Sequence, residues 1–151
     1  MEIEIKSYKS CRGKEGDAFS CTLYLDGKRA AYVTYDGRGG AYRFDWSATK
    51  GHKRMHGGPL GEEFQRYVDG LPEEDGLRKD MDWVVSDAIT EMLEARQLKR
   101  WCKKKTVFRL KDTPRGQVEI IDVAYSPRIR LHLIADHGED LVEIVNERYA
   151  A

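Results

Sequence analysis

Asp26-Gly27 sits between two runs whose apolar residues recur at every second position, and few dipeptides restrict a chain as much. A two-residue connection between antiparallel strands matches the strand twist as a type I′ or II′ turn. The I′ form needs positive φ at both central residues, which Asp-Gly tolerates. Upstream, Phe19, Cys21, Leu23 and Leu25 point one way while Ser20, Thr22 and Tyr24 point the other. Downstream, Arg29 to Tyr35 supplies the returning strand. A third alternating run places Tyr42, Phe44 and Trp46 on one face. Ile3 and Ile5 alternate with Glu2, Glu4 and Lys6, which predicts an opening edge strand. Ser10 to Asp17 is polar, holds Gly13 and Gly16, and reads as a loop. Residues 1–46 are therefore expected to form an antiparallel meander.

The stretch Asp36-Gly37-Arg38-Gly39-Gly40 has the glycine content of a phosphate-gripping loop. A Walker-type loop, however, runs from a strand into a helix and carries Lys followed by Ser or Thr. Neither the lysine nor the helix is present, so the five residues read as a hairpin connection.

Ser47 to Pro59 is basic, glycine-flanked and without periodicity, and predicts a long surface loop. A short helix is expected over Gly61–Asp69, stopped by Gly70-Leu71-Pro72. Asp80 is a good N-cap for a long helix from Met81 to about Lys103. Its apolar stripe is Met81, Val84, Val85, Ala88, Met92 and Ala95, widened by Trp83, Ile89, Leu93 and Trp101. Strands are expected at Thr106–Lys111 and Gln117–Val123, joined by Asp112-Thr113-Pro114-Arg115-Gly116. Ser126-Pro127 and Gly138 frame a helix over 127–136, although Ile129, Leu131 and Leu133 also alternate as a strand would. The tail Leu141–Tyr149 fits strand or helix. A length of 151 residues suits a single α+β domain: a sheet over 1–46, a basic loop over 47–59, helices over 60–104, and a hairpin plus helix over 106–151.

The 26 Lys and Arg are balanced by 26 Asp and Glu, so any attraction to nucleic acid has to come from local patches rather than net charge. No apolar run reaches the ~20 residues of a membrane span. Met1 to Ile5 alternates charged and apolar residues and lacks the apolar centre of a secretory signal, which points to a cytoplasmic protein. The three cysteines, Cys11, Cys21 and Cys102, are widely spaced and expected to be reduced.

Local basic patches do exist. Lys99, Arg100, Lys103, Lys104 and Lys105 cluster at the end of the long helix around Trp101, and Lys53 and Arg54 lie in the 47–59 loop. Together they are the nucleic-acid-binding candidates, with Trp101 as a stacking surface. The competing explanation is that cations gather at a helix C-terminus to offset its negative end, as the acidic first half of this helix suggests.

Catalytic signatures are weak. His52 and His56 have the i, i+4 spacing of a metal pair, but the glycines around them argue against a helix and no third ligand follows. Cys102 sits at a helix C-terminus, which raises a thiol pKa. No Gly-x-Ser-x-Gly elbow is present, the paired carboxylates (Glu62-Glu63, Glu73-Glu74, Glu139-Asp140) are adjacent in sequence, and His137 fits a capping role. No metal or cofactor motif emerges. The protein-binding candidates are Tyr24, Tyr32, Tyr42, Phe44 and Trp46 on neighbouring strands, with Arg38 in the adjoining loop, since Tyr, Trp and Arg are enriched at interfaces.

Thr106-Val107-Phe108-Arg109-Leu110, Tyr125-Ser126-Pro127 and Val145-Asn146-Glu147, with the N-terminal stretch from Asp17 to Trp46, resemble segments of small uncharacterised accessory proteins of bacteriophages and prophages. The resemblance implies a compact cytosolic protein acting by binding a host or antiviral defence component, and it transfers no site residue. Three functions follow as expectations: a non-catalytic protein-binding accessory protein, a nucleic-acid-binding module, or a nucleotide-binding protein or small enzyme with a pocket built from distant residues.

Overall fold

The computed structural model describes residues 1–13, 16–47 and 57–149. The fold is α+β, and the chain forms two compact units, Met1–Glu91 and Met92–Ala151.

In the first unit, β1 (Ile3–Arg12), β2 (Asp17–Leu25), β3 (Lys28–Tyr35) and β4 (Arg43–Trp46) form an antiparallel sheet in the order β1-β2-β3-β4. The β2–β3 connection is the expected Asp26-Gly27 turn, with φ of 50° and 78°. The register sets Leu23 beside Ala31 and Cys21 beside Val33, then Ala31 beside Trp46 and Val33 beside Phe44. These six residues and Ile5 are buried, so one face of the sheet carries the core.

The helices α1 (Gly58–Asp69) and the beginning of α2 (Met81–Cys102) cover that face, contributing Phe64, Val68, Val84, Val85 and Ile89. Asp80 caps α2 as expected, its Oδ1 accepting the Trp83 N–H at 2.8 Å.

Two expectations change here. Ser10 to Arg12 belong to β1 rather than a loop, because Ser10, Cys11 and Arg12 pair with Phe19, Ala18 and Asp17. An edge strand is held by its backbone ladder and tolerates polar side chains on both faces, so alternation is a poor guide to its end. Helix α1 starts at Gly58 rather than Gly61, since Pro59 occupies the first turn, where its missing N–H costs nothing. Residues 48–56 of the predicted basic loop, including His52, Lys53, Arg54 and His56, lie outside the described residues.

The glycine-rich connection between β3 and β4 has a packing role. A Cβ on Gly37, whose φ is +75°, would lie 3.0 Å from Gly16 O, and one on Gly13 would lie 2.9 Å from Gly37 Cα. The β1–β2 and β3–β4 turns thus meet backbone to backbone, a close approach that only glycine allows.

In the second unit, β5 (Thr106–Leu110) is the centre of a three-stranded antiparallel sheet, flanked by β6 (Glu119–Ile121) and β7 (Leu141–Ile144). Helix α3 (Pro127–His137) begins as predicted, with Ser126 Oγ accepting the Ile129 N–H at 3.3 Å. It packs on the sheet through Leu133, which meets Phe108 and Ile144, with Leu110, Tyr125, Ile129 and Leu141 around them. The ambiguous tail is both things in turn: β7, then a 3-10 turn over Val145–Arg148. Strand β7 therefore turns the predicted C-terminal hairpin into a three-stranded sheet.

Across β5 and β7, Glu143 takes a hydrogen bond from Arg109 Nη1 at 2.7 Å and is also bound by Arg148. The Arg148 hydrogen bond, then that of Arg109, holds the Glu143 carboxyl below its ordinary value of 4.5, with burial opposing. The ionised form is favoured in the folded state, so the stabilisation is present above 4.5 and fades as pH falls through the depressed folded value. Glu143→Gln should lose about 1 kcal/mol at neutral pH, because the cluster remains partly solvated. Denaturation midpoints followed from pH 7 to 3 should converge for the two proteins.

Candidate functional site

The register separates the aromatic candidates. Phe44 and Trp46 are on the buried face, with Trp46 only 2% exposed and its ring stacked on Phe44 at 5.6 Å. Tyr32, 42% exposed, is beside Asp45 on the opposite face. Tyr24 lies on that outer face too, with Lys6 Nζ 4.3 Å from its ring centroid. Arg38 is exposed in the β3–β4 connection, where its N–H donates to Asp36 Oδ1 at 3.0 Å. The reason is parity: in β3, Tyr32 alternates with Ala31 and Val33, which face the core. One shared aromatic surface is therefore not formed.

Tyr42, half-buried, lines a groove of about 770 Å³, with the buried rings of Phe44 and Trp46 behind it. One side is the edge strand β4. The other is built by Gly61, Glu62, Gln65 and Arg66 of α1 and by Met81 and Asp82 of α2. Gly61 makes the arrangement possible: a Cβ there would stand 3.2 Å from Trp46 Cε2, so α1 rests against the indole face. At the strand's start, Asp82 Oδ2 accepts the Tyr42 N–H at 2.8 Å, occupying a donor that an edge strand otherwise presents to solvent. Burial pushes the Asp82 carboxyl up, the Tyr42 hydrogen bond opposes this, and the charge of Asp80 adds to it.

Tyr42 joins the groove to a second aromatic cluster. Its ring meets Phe19 edge-on at 4.9 Å and Tyr35 at 5.3 Å, while Tyr8 lies 5.9 Å from Phe19. All four rings are half-buried, so the apolar surface continues from the groove toward the β3–β4 turn. Tyr8 was not singled out in the sequence because it lies at an irregularity in β1 between Lys6 and Lys9, where alternation breaks.

The basic candidates divide likewise. Lys99, Arg100, Lys103 and Lys104 are exposed at the end of α2, and Lys105 is 3.9 Å from Asp122. Trp101 is half-buried in a recess with Leu98, Arg109 and Ile120.

The cysteines are free. Burial pushes the Cys21 thiol up to about 11 and raises that of Cys102, with Arg148 opposing at the latter. Thiols held protonated in this way are poor nucleophiles at neutral pH. Among the described residues, no three His, Cys, Asp or Glu side chains come together to hold a metal ion. No helix among them is long and apolar enough to cross a membrane.

Comparison with protein-family models, with curated proteins and with solved structures gives no match to the chain.

Proposed function

We propose that this chain is a non-catalytic binding protein that grips a partner protein in the groove between β4 and α1. The observation that carries this reading is the groove itself: the half-buried Tyr42 ring, backed by the buried Phe44 and Trp46, within a rim of Arg43, Glu62, Gln65, Arg66 and Asp82. An apolar pocket with a few converging polar groups is the usual form of a recognition site. An exposed segment of the partner would place an apolar side chain on the Tyr42 ring and pair its polar groups with the rim.

The charge distribution favours a protein segment over a nucleotide. A helix N-terminus attracts phosphate through its positive end. At α2 that end is already occupied by Asp80 and Asp82, which would repel an anion. Among the described residues that line the groove there is no His, Cys, Ser or Lys. Asp82, whose carboxyl is pushed up by burial, accepts the Tyr42 N–H just before β4.

The resemblance to bacteriophage and prophage accessory proteins extends the reading. The partner would be a host or antiviral defence component, inactivated by occlusion.

A peptide-display selection on the purified protein tests this, run in parallel on Glu62→Trp, which fills the groove mouth from an exposed position. The expected result is a family of peptides sharing an aromatic or aliphatic anchor, bound at least about tenfold more weakly by Glu62→Trp. Peptides that bind both proteins equally would place recognition elsewhere. Salt-dependent binding to oligonucleotides, lost on replacing Lys99, Arg100, Lys103, Lys104 and Lys105 by alanine, would favour nucleic acid instead.

A further inference from the structure

The outer face of the β1–β4 sheet is polar, and strand register orders it into rows. Glu4, Tyr24 and Arg29 form one row, and Lys6, Thr22, Tyr32 and Asp45 the next. Lys9, Ser20, Thr34 and Arg43 form the third. Alternation turns the intervening residues of these strands toward the core.

Charge is distributed unevenly among the rows. The first two hold one acid and one base each. Lys6 Nζ is 3.2 Å from Glu4 and lies over the Tyr24 ring, and Asp45 stands beside Tyr32. The third row has a cation at each end and no acid, with the hydroxyls of Ser20 and Thr34 between them. Lys9, Arg29 and Arg43 are exposed and, among the described residues, pair with no carboxylate.

We propose that this face binds single-stranded nucleic acid, its phosphates along the Lys9–Arg43 row and a base stacked on Tyr32. Lysine and arginine neutralise phosphates, and serine and threonine hydroxyls donate to phosphate oxygens. Tyr32, 42% exposed, stands one row away, and an aromatic ring stacks any base. Rows are two residues apart along a strand, about 7 Å, so a nucleotide with its phosphate on one row sets its base over the next. Arg29, beyond Tyr32, holds a phosphate farther along. A duplex fits less well, because four strands span about 14 Å and the major groove is about 12 Å wide. A protein partner fits less well too, since interface cores are depleted of charge and this face is charged throughout.

Fluorescence anisotropy with labelled single strands of about 12 nucleotides, titrated with the full chain at about 50 to 200 mM salt, tests the proposal. Affinity should fall as salt rises. Lys9→Ala with Arg29→Ala should lower the slope of log affinity against log salt by about 1.4, two phosphate contacts at about 0.7 each. Tyr32→Thr, which keeps a strand-forming residue, should weaken binding at least about fivefold and leave the slope unchanged. Arg43 stays unaltered in both proteins because it also lines the groove. All three positions are exposed, so the variants should melt as the wild type does. Absence of binding at about 50 mM salt with about 100 µM protein would overturn the proposal. So would a duplex bound as tightly as the single strand, or binding that both variants leave intact. Binding abolished instead by replacing Lys99, Arg100, Lys103, Lys104 and Lys105 with alanine would move the contact to the end of α2. Selected peptides that displace the oligonucleotide from this face would make it a protein surface, and either result would contradict the proposal.

Discussion

Replacing Asn146 by alanine should cost the Met92–Ala151 unit roughly 2–4 kcal/mol, a large share of the stability of a small domain. Asn146 is 5% exposed, and it holds three backbone groups at once. Its Oδ1 accepts the Val107 N–H at 2.7 Å, and its Nδ2 donates to Lys105 O at 2.8 Å and Cys102 O at 3.3 Å. The side chain thereby joins the C-terminal 3-10 turn to the end of α2 and the start of β5. Alanine leaves the Val107 N–H buried without a partner, and that desolvation penalty dominates the loss.

Asn146→Asp separates the polar effect from packing, because its shape is nearly unchanged. The carboxylate can still accept from Val107 but meets two carbonyl oxygens where Nδ2 donated. Burial and those carbonyls favour the protonated form, so this variant should be strongly destabilised at pH 7 and recover as pH falls. Urea denaturation at several pH values reads both effects. Equal losses for Asn146→Asp at pH 7 and pH 4 would argue against this account of the staple.

The second large effect is expected at Phe64. Its side chain is fully buried, and its ring lies 6.3 Å from that of Trp46 beneath the groove. Phe64→Ala should destabilise the Met1–Glu91 unit by about 3–5 kcal/mol, combining lost transfer energy with the cavity left behind. Because Phe64 supports the contact between α1 and the indole, peptide binding in the groove should fall with it. Glu62→Trp, at an exposed position, should lose binding with little change in stability. The contrast distinguishes a collapsed site from a blocked one.

Much of the fold was legible in local chemistry. Asp26-Gly27 marked the hairpin, Asp80 marked the start of α2, and Ser126-Pro127 resolved α3 despite its strand-like alternation. Each is a short-range signal whose backbone consequence hardly depends on the rest of the chain. The same dipeptide at Asp75-Gly76 makes a tight turn between Glu74 and Leu77, which the sequence concealed because no alternating runs flank it.

The end of β1 was misjudged because its pairing partner, not its own side chains, determines where it stops. The groove was half legible. Tyr42, Phe44 and Trp46 share a face by simple alternation, but Gly61, Glu62, Arg66 and Asp82 arrive from other elements, and nothing local announces the approach. Tyr24 and Tyr32 belong to the same sheet, yet strand parity sends them to its other side. Asn146 gave no signal beyond being polar in an otherwise mixed tail, since its three partners are 39 to 44 residues away.

Nuclear magnetic resonance mapping of a selected peptide onto the protein tests the groove most directly. The amide resonances of Tyr42, Phe44 and Gly61 should move first and furthest as the peptide is added, and stay still in Glu62→Trp. Shifts centred on Tyr24 and Tyr32, or on Lys99 to Lys105, with the groove amides unmoved, would contradict the assignment.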